Sequence, residues 1–350
     1  MTKTLLMFMA ITLCIACKSD PEKKESTTST SIRPDYIAYQ SHISMAEKHI
    51  LDSIYVDALK EYETAFTLVE KPLAKHCFTA MQVSATVDSL DHFKKYSIAG
   101  MKRGLLPKYY KEDSLLNAYL KQKDLYDFID EHFEPNHKIY EESTNTFLID
   151  TLKQLTLLDQ KWKVHYWDSL ARVDPINKPK YDSLYNIVIS DIVENKLIPL
   201  IKEFGYPGER LIGASAVGYD PNDSYRRAYV QNSAKLILWH YYSLPRQKCE
   251  YNDLFWEEVT NGNLDPGHYA TFIDFQARKG ADTICNNVKI YDQHFTVTDS
   301  TRFDEFNTRR AQLGLEPIEE RNKKYKRGQK ACKEIKEGNF KHIKLFYWCG

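Results

Sequence analysis

A self-match at an interval of 34 residues constrains the fold of this chain more than any other feature. The matched residues are all small or aromatic, and they form three identical pairs: Ala46 and Ala80, Tyr62 and Tyr96, and Ala65 and Ala99. Small residues let two helices approach closely, and an aromatic side chain fills the groove between them. The interval therefore predicts two successive helical hairpins within residues 34–134.

The segment YVDALKEYETAF (55–66) resembles the second helix of a tetratricopeptide repeat. The second unit departs from the pattern, because His92 replaces the small residue Ala58. Two units cannot bury a solenoid core alone, so a further helix is predicted over 113–132 as their cap. The resemblance implies a concave face that can accept a peptide or protein partner. The alternative is that the repeats only space the anchor from the rest of the chain.

Residues 135–350 are also predicted to be mostly helical. One helix face carries residues at spacings of three and four, namely Leu148, Leu152, Leu155 and Asp159. A proline-rich break at 175–179 separates two helical stretches, and Gly205 is placed to end the second. Alternation at 288–297 allows a short strand. The predicted fold is all-α: a helical-repeat region packed on a C-terminal helical domain, with at most a short strand pair.

The first 33 residues predict an anchor. Lys3 precedes an apolar run of about a dozen residues, which is shorter than the roughly 20 residues that a membrane span needs. The run and the following Cys17 resemble a bacterial lipoprotein signal, which implies a signal peptide at 1–16, acylation of Cys17 and a polar tether at 17–33. This predicts a lipid-anchored protein of the bacterial cell envelope, on the periplasmic or surface face of the outer membrane. An ordinary cleaved signal or a soluble N-terminus is the alternative.

Charge and cysteine content narrow the functional classes. The chain has 48 basic and 48 acidic residues, so no overall positive field favours nucleic acid. A basic stretch at 321–333 could touch anionic lipid, or it could be a solvated helix face. No nucleotide-binding glycine motif is present and no cofactor is predicted. Cys77 is expected to be a buried apolar residue. The pairing of the other cysteines after Cys17 stays open: Cys249, Cys285, Cys332 and Cys349.

A series of motifs in the C-terminal half resembles an uncharacterised bacterial family, the domain of unknown function 6624. The motifs are FGYPGERLIG (204–213), LILWHYYS (236–243), the Trp256-Glu257-Glu258 segment, GHYATFIDFQARKG (267–280), KIYDQHF (289–295) and NTRRAQLGLEPIEE (307–320). The resemblance covers residues 180–320 and implies a fold and a site, but no activity. Asp292 stands where the family more often has glycine, and Lys289 where glutamine is common.

His240, within a run of large apolar side chains, is the centre of the predicted site. A buried imidazole needs hydrogen-bond partners, and the other motifs offer Glu209 and Asp274 as carboxylates. Candidate ligand contacts among the matched motifs are Tyr269, Arg278, Tyr291 and Arg310. His240 could fasten helices together, act as a general base with Asp274 or Glu209, or join both in binding a metal.

Two functions follow from these alternatives. In the first, the protein is a membrane-anchored module that binds a ligand or another protein. In the second, it is an extracytoplasmic hydrolase-like enzyme that uses His240. No nucleophile motif supports the second function, and no metal site is predicted.

Overall fold

The computed structural model describes residues 34–217, 234–244, 248–277, 283–285, 287–293, 300–337 and 340–345, without the side chains of 165, 166 and 336. The predicted signal peptide, tether and lipidation site at Cys17 lie outside these residues, as does Arg278. In the N-terminal part the helices are α1 (Tyr36–Leu51), α2 (Tyr55–Thr67), α3 (Ala74–Thr86), α4 (Leu90–Met101), α5 (Pro107–Glu112), α6 (Ser114–Lys123) and α7 (Tyr126–Ser143).

Most of the remaining described residues are also helical. The remaining helices are α8 (Thr146–Gln160), α9 (Ser169–Val173), α10 (Lys178–Ile192), α11 (Ile198–Phe204), α12 (Glu209–Ile212), α13 (Ala234–Ser243), α14 (Asn252–Thr260), α15 (Pro266–Gln276), α16 (Phe303–Ala311) and α17 (Ile318–Lys336). Two strands, β1 (Thr283–Ile284) and β2 (Val288–Lys289), pair antiparallel. The predicted all-α fold with a short strand pair is confirmed.

The matched residues of the 34-residue interval lie at equivalent places in two helical pairs. Ala46 and Ala80 lie in α1 and α3, while Tyr62 and Tyr96 lie in α2 and α4. All four side chains are fully buried. Helix α1 packs on α2, and α3 packs on α4. The small and aromatic residues thus form the contact surfaces of the helices, as the spacing predicts.

The single helix predicted over 113–132 is wrong in one respect, because the structure has two helices there. Asp113 caps α6 by accepting hydrogen bonds from the backbone N–H groups of Leu115 and Leu116. The helix ends at Asp124, whose φ of 54° is left-handed, and α7 begins two residues later. A left-handed residue cannot continue an α-helix, and aspartate tolerates that conformation better than most residues.

Helix α8 presents the predicted buried face. Leu148, Leu152 and Asp159 are fully buried and Leu155 is nearly so. A π-helical segment at Lys161–Asp168 continues directly from α8. A second one at Val193–Leu197 joins α10 to α11. Helix α11 ends at Gly205 with φ of 88°, so the predicted glycine stop is confirmed.

Two large apolar cores and a small cluster of Ile290, Phe306 and Ile318 lie within one compact unit that contains all described residues. The first core is built mainly from α1–α7 and also takes in Ile343 and Leu345, near the end of the chain. The second is built from α8, α10 to α15 and the residues after α16. A disulfide joins Cys249 to Cys285, and Cys77 is a buried free thiol. Among the described residues, no helix is long and apolar enough to cross a bilayer.

Candidate functional site

His240 meets a carboxylate, but from a part of the chain other than the predicted one. Its Nδ1 lies 2.8 Å from Oδ2 of Asp159, which is at the end of α8 and is completely buried. The same carboxylate accepts hydrogen bonds from Tyr185 Oη at 2.9 Å and Gln160 Nε2 at 2.9 Å. Because the ring donates through Nδ1, the neutral imidazole has its lone pair on Nε2. The side chain keeps 14% of its surface exposed.

Asp274, one of the two predicted partners, serves a different purpose. It is fully buried in α15 and accepts the backbone N–H groups of Tyr291 and Gln293 at 2.7 and 2.5 Å. Arg310 holds the same segment from the other side, since its Nη1 donates to Gln293 Oε1 at 2.8 Å. The pair therefore fixes the loop after β2, and the proposed pairing of Asp274 with His240 is wrong.

Asp292 adopts a left-handed backbone conformation in this loop. Its φ is 51°, a left-handed value that glycine adopts without steric cost and that aspartate tolerates. Its carboxylate forms an ion pair of 3.0 Å with Arg321. Tyr291 packs its ring edge against Tyr269 with centroids 6.0 Å apart, and both side chains are largely buried. Of the predicted ligand contacts, Tyr269, Tyr291 and Arg310 thus cluster at this loop.

Glu209, the other predicted partner, caps a helix. Its Oε1 accepts the backbone N–H of Ala74, the first residue of α3, at 2.6 Å. Helix α3 has no side-chain cap of its own, so this carboxylate satisfies one unpaired donor and complements the positive helix end. Glu209 therefore links α12 to α3, and its predicted partnership with His240 is also wrong.

Arg210, next in sequence, extends this link. It donates from Nε to the carbonyl of Lys71 at 2.7 Å and from Nη1 to the carbonyl of Gly262. The guanidinium also lies 4.5 Å from the ring centroid of Tyr36. The two cores are thus joined by a buried polar contact that the GERLIG motif supplies.

The three residues of the predicted metal-binding alternative do not meet at one place in the described part of the structure. Each of His240, Asp274 and Glu209 is engaged with a different partner, as described above. No group of three or more histidine, cysteine, aspartate or glutamate side chains in the described segments is arranged to hold a metal ion.

A cluster of titratable side chains lies where α3, α13 and α15 begin. Asp265 is the N-cap of α15 and accepts the backbone N–H groups of Gly267 and His268 at 2.8 and 3.3 Å. Its second oxygen lies 3.3 Å from Nζ of Lys75, in the first turn of α3. Although burial acts to raise the pKa of Asp265, Lys75 and the neighbouring positive groups hold that pKa below its ordinary value.

Within this cluster, the positive charge of Lys235 is the one with the least negative charge close to it. It is the second residue of α13, and burial lowers the pKa of its ammonium group to about 8. The field of Asp265 opposes this shift and that of Lys75 adds to it. Its Nζ lies 6.0 Å from the ring centroid of Trp239. The charge has no hydrogen-bonded counter-ion in this part of the chain.

Two histidines beside Lys235 and Lys75 are held neutral. Burial, with Lys235 as the next cause, lowers the pKa of His268 to about 3. Burial also lowers the pKa of His76, whose Nδ1 lies 2.6 Å from the hydroxyl of Tyr39. That hydroxyl accepts the backbone N–H of Leu73 at 3.1 Å, so its own hydrogen goes to Nδ1 and the imidazole hydrogen of His76 sits on Nε2.

The basic stretch 321–333 forms part of α17, and much of its charge is paired within the chain. Lys324 forms an ion pair of 2.5 Å with Glu47 of α1, and Lys323 lies 3.0 Å from Glu320. Arg327 donates to the carbonyls of Ile50 and Leu51. These contacts dock α17 on α1, which favours the interpretation as a helix face over that as a lipid-binding patch.

Comparison of the chain with profiles of known protein families, with curated proteins and with solved structures found no match. The resemblances on which the predicted site was based therefore stay predictions. The geometry of the site is therefore known only from the structure of this chain.

Sequence reasoning did not find the cluster around Lys235, although two signals point to it. Lys235 is a single basic residue at the start of the apolar helix AKLILWHYYS. Asp265 followed by Pro266 marks a helix start, since an aspartate cap before proline at the first helical position is typical. Neither signal tells which helix starts meet in space, because that depends on packing between distant elements.

Proposed function

We propose that this protein is a lipid-anchored binding module of the bacterial cell envelope, with its ligand site at the junction of α3, α13 and α15. The anchor rests on the signal-like residues 1–16 and on Cys17. The ligand site is formed by Lys75, Lys235, Asp265 and His268. A small ligand or the end of a peptide would reach it from solvent.

One observation carries the proposal of a ligand site. Lys235 and His268 interact electrostatically with Lys75 and Asp265, and neither side chain has a hydrogen-bond partner among the described residues. Lys75, Asp265, Lys235 and His268 are all partly accessible. A bound ligand would satisfy these donors.

A thermal-shift screen of small anions, neutral polyols and short peptides tests the ligand site. The full chain in detergent is compared with Lys235→Met, which keeps the length of the side chain and removes its charge. A ligand of this site raises the melting temperature of the wild type and not that of the variant. Lys153→Met, at an exposed lysine of α8, serves as the matched control. A ligand that stabilises all three proteins equally would place binding elsewhere.

Radiolabelled palmitate incorporation tests the anchor separately. We expect the wild type expressed in a bacterial host to carry the label and to fractionate with the envelope, and Cys17→Ser to lose both properties. Label that persists in the variant would contradict acylation at Cys17. This result is independent of ligand binding, because the variant changes no residue of the folded part.

The pair of His240 and Asp159 supports a second candidate, a hydrolase-like enzyme. A carboxylate fixes the Nδ1–H tautomer, and Nε2 has no partner among the described residues, which is the arrangement of an oriented general base. A panel of ester and amide substrates tests this function. Hydrolysis by the wild type that His240→Gln abolishes, with its melting temperature within a few degrees of the wild type, would support the enzyme. A lack of hydrolysis across the panel would leave the pair with a structural role.

A further inference from the structure

Residues 340–345, close to the end of the chain, pack on helix α3 although they form neither a helix nor a strand. Ile343 and Leu345 are buried in the first apolar core. Lys344 lies between them and is only partly buried. Entry of alternate side chains into a core is typical of an extended chain. The segment is therefore held at two apolar positions with a lysine between them.

The main chain of Lys344 is bound on both sides by side chains of α3. Its backbone N–H donates to Oε1 of Gln82 at 2.8 Å. Its carbonyl accepts a hydrogen bond of 3.0 Å from the hydroxyl of Thr79, which also lies 3.1 Å from the carbonyl of Lys75. Both Gln82 and Thr79 are buried. Because every residue except proline has these two backbone groups, the contacts suit the main chain of any extended segment.

A buried carboxylate binds the side chain of Lys344. Its Nζ lies 3.2 Å from Oδ2 of Asp113, whose side chain is 4% exposed. The same oxygen accepts a hydrogen bond of 3.0 Å from Nε2 of Gln82, while Oδ1 caps α6. The ammonium group also lies 5.8 Å from the ring centroid of Phe78. We call Phe78, Thr79, Gln82 and Asp113 the lysine-binding surface, because their charge and geometry favour a lysine.

The lysine-binding surface and the segment that it holds are far apart in the sequence. Thr79 and Gln82 are 265 and 262 residues away from Lys344. If the segment left, Asp113 would lose this ammonium group and Gln82 would lose the donor to its Oε1. Both losses are unfavourable in a buried place. The surface therefore favours occupation by a segment of this chemistry, whether it comes from the same chain or from another.

We propose that the lysine-binding surface is a docking site for an extended segment of a partner protein in which a lysine lies between two apolar residues. Residues 343–345 occupy this site as an intramolecular ligand, and the partner displaces them. Its lysine pairs with Asp113, and its main chain bonds to Thr79 and Gln82. The inference goes beyond the ligand site at the junction of α3, α13 and α15, because the two sites share no residue.

An intramolecular ligand competes with the partner. A segment on a short linker has an effective concentration of about 1 mM. A partner segment with a dissociation constant of about 10 µM for the empty surface would therefore bind the wild type about a hundredfold more weakly. Weakening the chain's own segment should restore the higher affinity.

Binding of a fluorescent peptide to the full chain in detergent tests the proposal. The probe is the hexapeptide FKHIKL, the sequence of residues 340–345, with both ends blocked. Lys344→Glu places a like charge opposite Asp113 and should release the chain's own segment, so this variant should bind the probe about a hundredfold more tightly than the wild type. Lys344→Gln removes the charge without adding repulsion, and its affinity for the probe should rise by about tenfold.

Three controls define the site. Lys341→Glu, at an exposed position of the same segment, should bind the probe like the wild type. A probe with glutamate at the position of Lys344 should bind none of the proteins. Asp113→Asn, added to Lys344→Gln, keeps an oxygen that can cap α6 but removes the negative charge. The double variant should bind the lysine probe about tenfold more weakly than Lys344→Gln alone.

Circular dichroism melting establishes which variants are folded. The wild type provides a test that needs no variant, since it should bind the lysine probe with an apparent dissociation constant of about 1 mM and the glutamate probe not at all. Equal binding of the two probes would overturn the proposal, as would the absence of binding by folded Lys344→Glu. A wild-type dimer that the lysine probe dissociates in size-exclusion chromatography would assign the surface to a second copy of the chain, and would overturn its assignment to a partner protein.

Discussion

At the scale of single residues, Lys235 makes the stability of the protein depend on pH. Its pKa is lowered in the folded state to about 8, whereas the unfolded value is 10.5. Between these values the unfolded chain binds more protons at Lys235, so stability rises with pH across this range. Below pH 8 the ammonium is charged in both states and its burial cost is present in full.

Lys235→Met should therefore be more stable than the wild type at pH 7, by on the order of 2 kcal/mol. The difference should shrink as the pH rises from 8 to 10.5. Urea unfolding at a series of pH values measures both effects. A constant difference between the two proteins across that range would show that the amine titrates normally in the folded state.

Asp159 gives the second prediction at this scale. Replacing it with alanine removes the buried acceptor to which His240, Tyr185 and Gln160 donate. We expect Asp159→Ala to lower the free energy of unfolding by about 2–4 kcal/mol. Asp57→Ala, which removes an exposed ion pair with Lys60, should cost less than about 1 kcal/mol. Similar losses for both variants would contradict the structural importance of the buried carboxylate.

The sequence predicted the kind of contact at His240 but not its partner. An imidazole on an apolar helix face must meet a polar group, and that group is an aspartate. Asp159 was placed on the buried face of α8 by its spacing from Leu155, yet nothing in the sequence relates α8 to α13. The choice among many acidic residues is decided by how the helices pack, and the π-helical segment after α8 is also not encoded in a simple period.

At the scale of elements, Glu209 joins α12 to α3 through a cap. Glu209→Ala removes the carboxylate that accepts the backbone N–H of Ala74. The expected loss of stability is about 1 kcal/mol, typical of a helix cap, with no change in any activity that depends on His240. Unfolding by urea measures it, with Glu203→Ala on the exposed face of α11 as the control. A loss of activity without a loss of stability would return Glu209 to a catalytic role.

Helices and their ends were the elements that could be read from the sequence. The small and aromatic residues at a 34-residue interval specify α1 to α4, because each matched side chain fills a helix contact. Gly205 ends α11 as expected, since its positive φ suits glycine. The break between α6 and α7 was missed, because Asp124 looks like an ordinary surface residue until its left-handed φ is known.

At the scale of the whole molecule, the helical-repeat region and the second helical region form separate cores within one compact unit. Residues near the end of the chain return to the first core, so the order of the sequence is not the order of the packing. The polar contacts of Glu209 and Arg210 lie between the two cores. These motif residues, which suggest a functional site in the sequence, therefore connect the cores in the structure.

The coupling between the cores gives the last prediction. Arg210 binds the carbonyls of Lys71 and Gly262 and stacks on Tyr36, so it ties the first core to the second. Lysine keeps the charge but lacks the planar fork that serves two carbonyls at once. We expect Arg210→Lys to cost about 2 kcal/mol and to separate the opening of the two cores.

Native-state hydrogen exchange measures this coupling. In the wild type, the slowest amides of α1–α4 and of α10 and α13 should report one shared free energy of opening, because the cores unfold together. In Arg210→Lys, one set should open at a lower free energy than the other, while Arg172→Lys at an exposed site of α9 leaves both unchanged. An equal fall in both sets would mean that Arg210 contributes stability without coupling the cores.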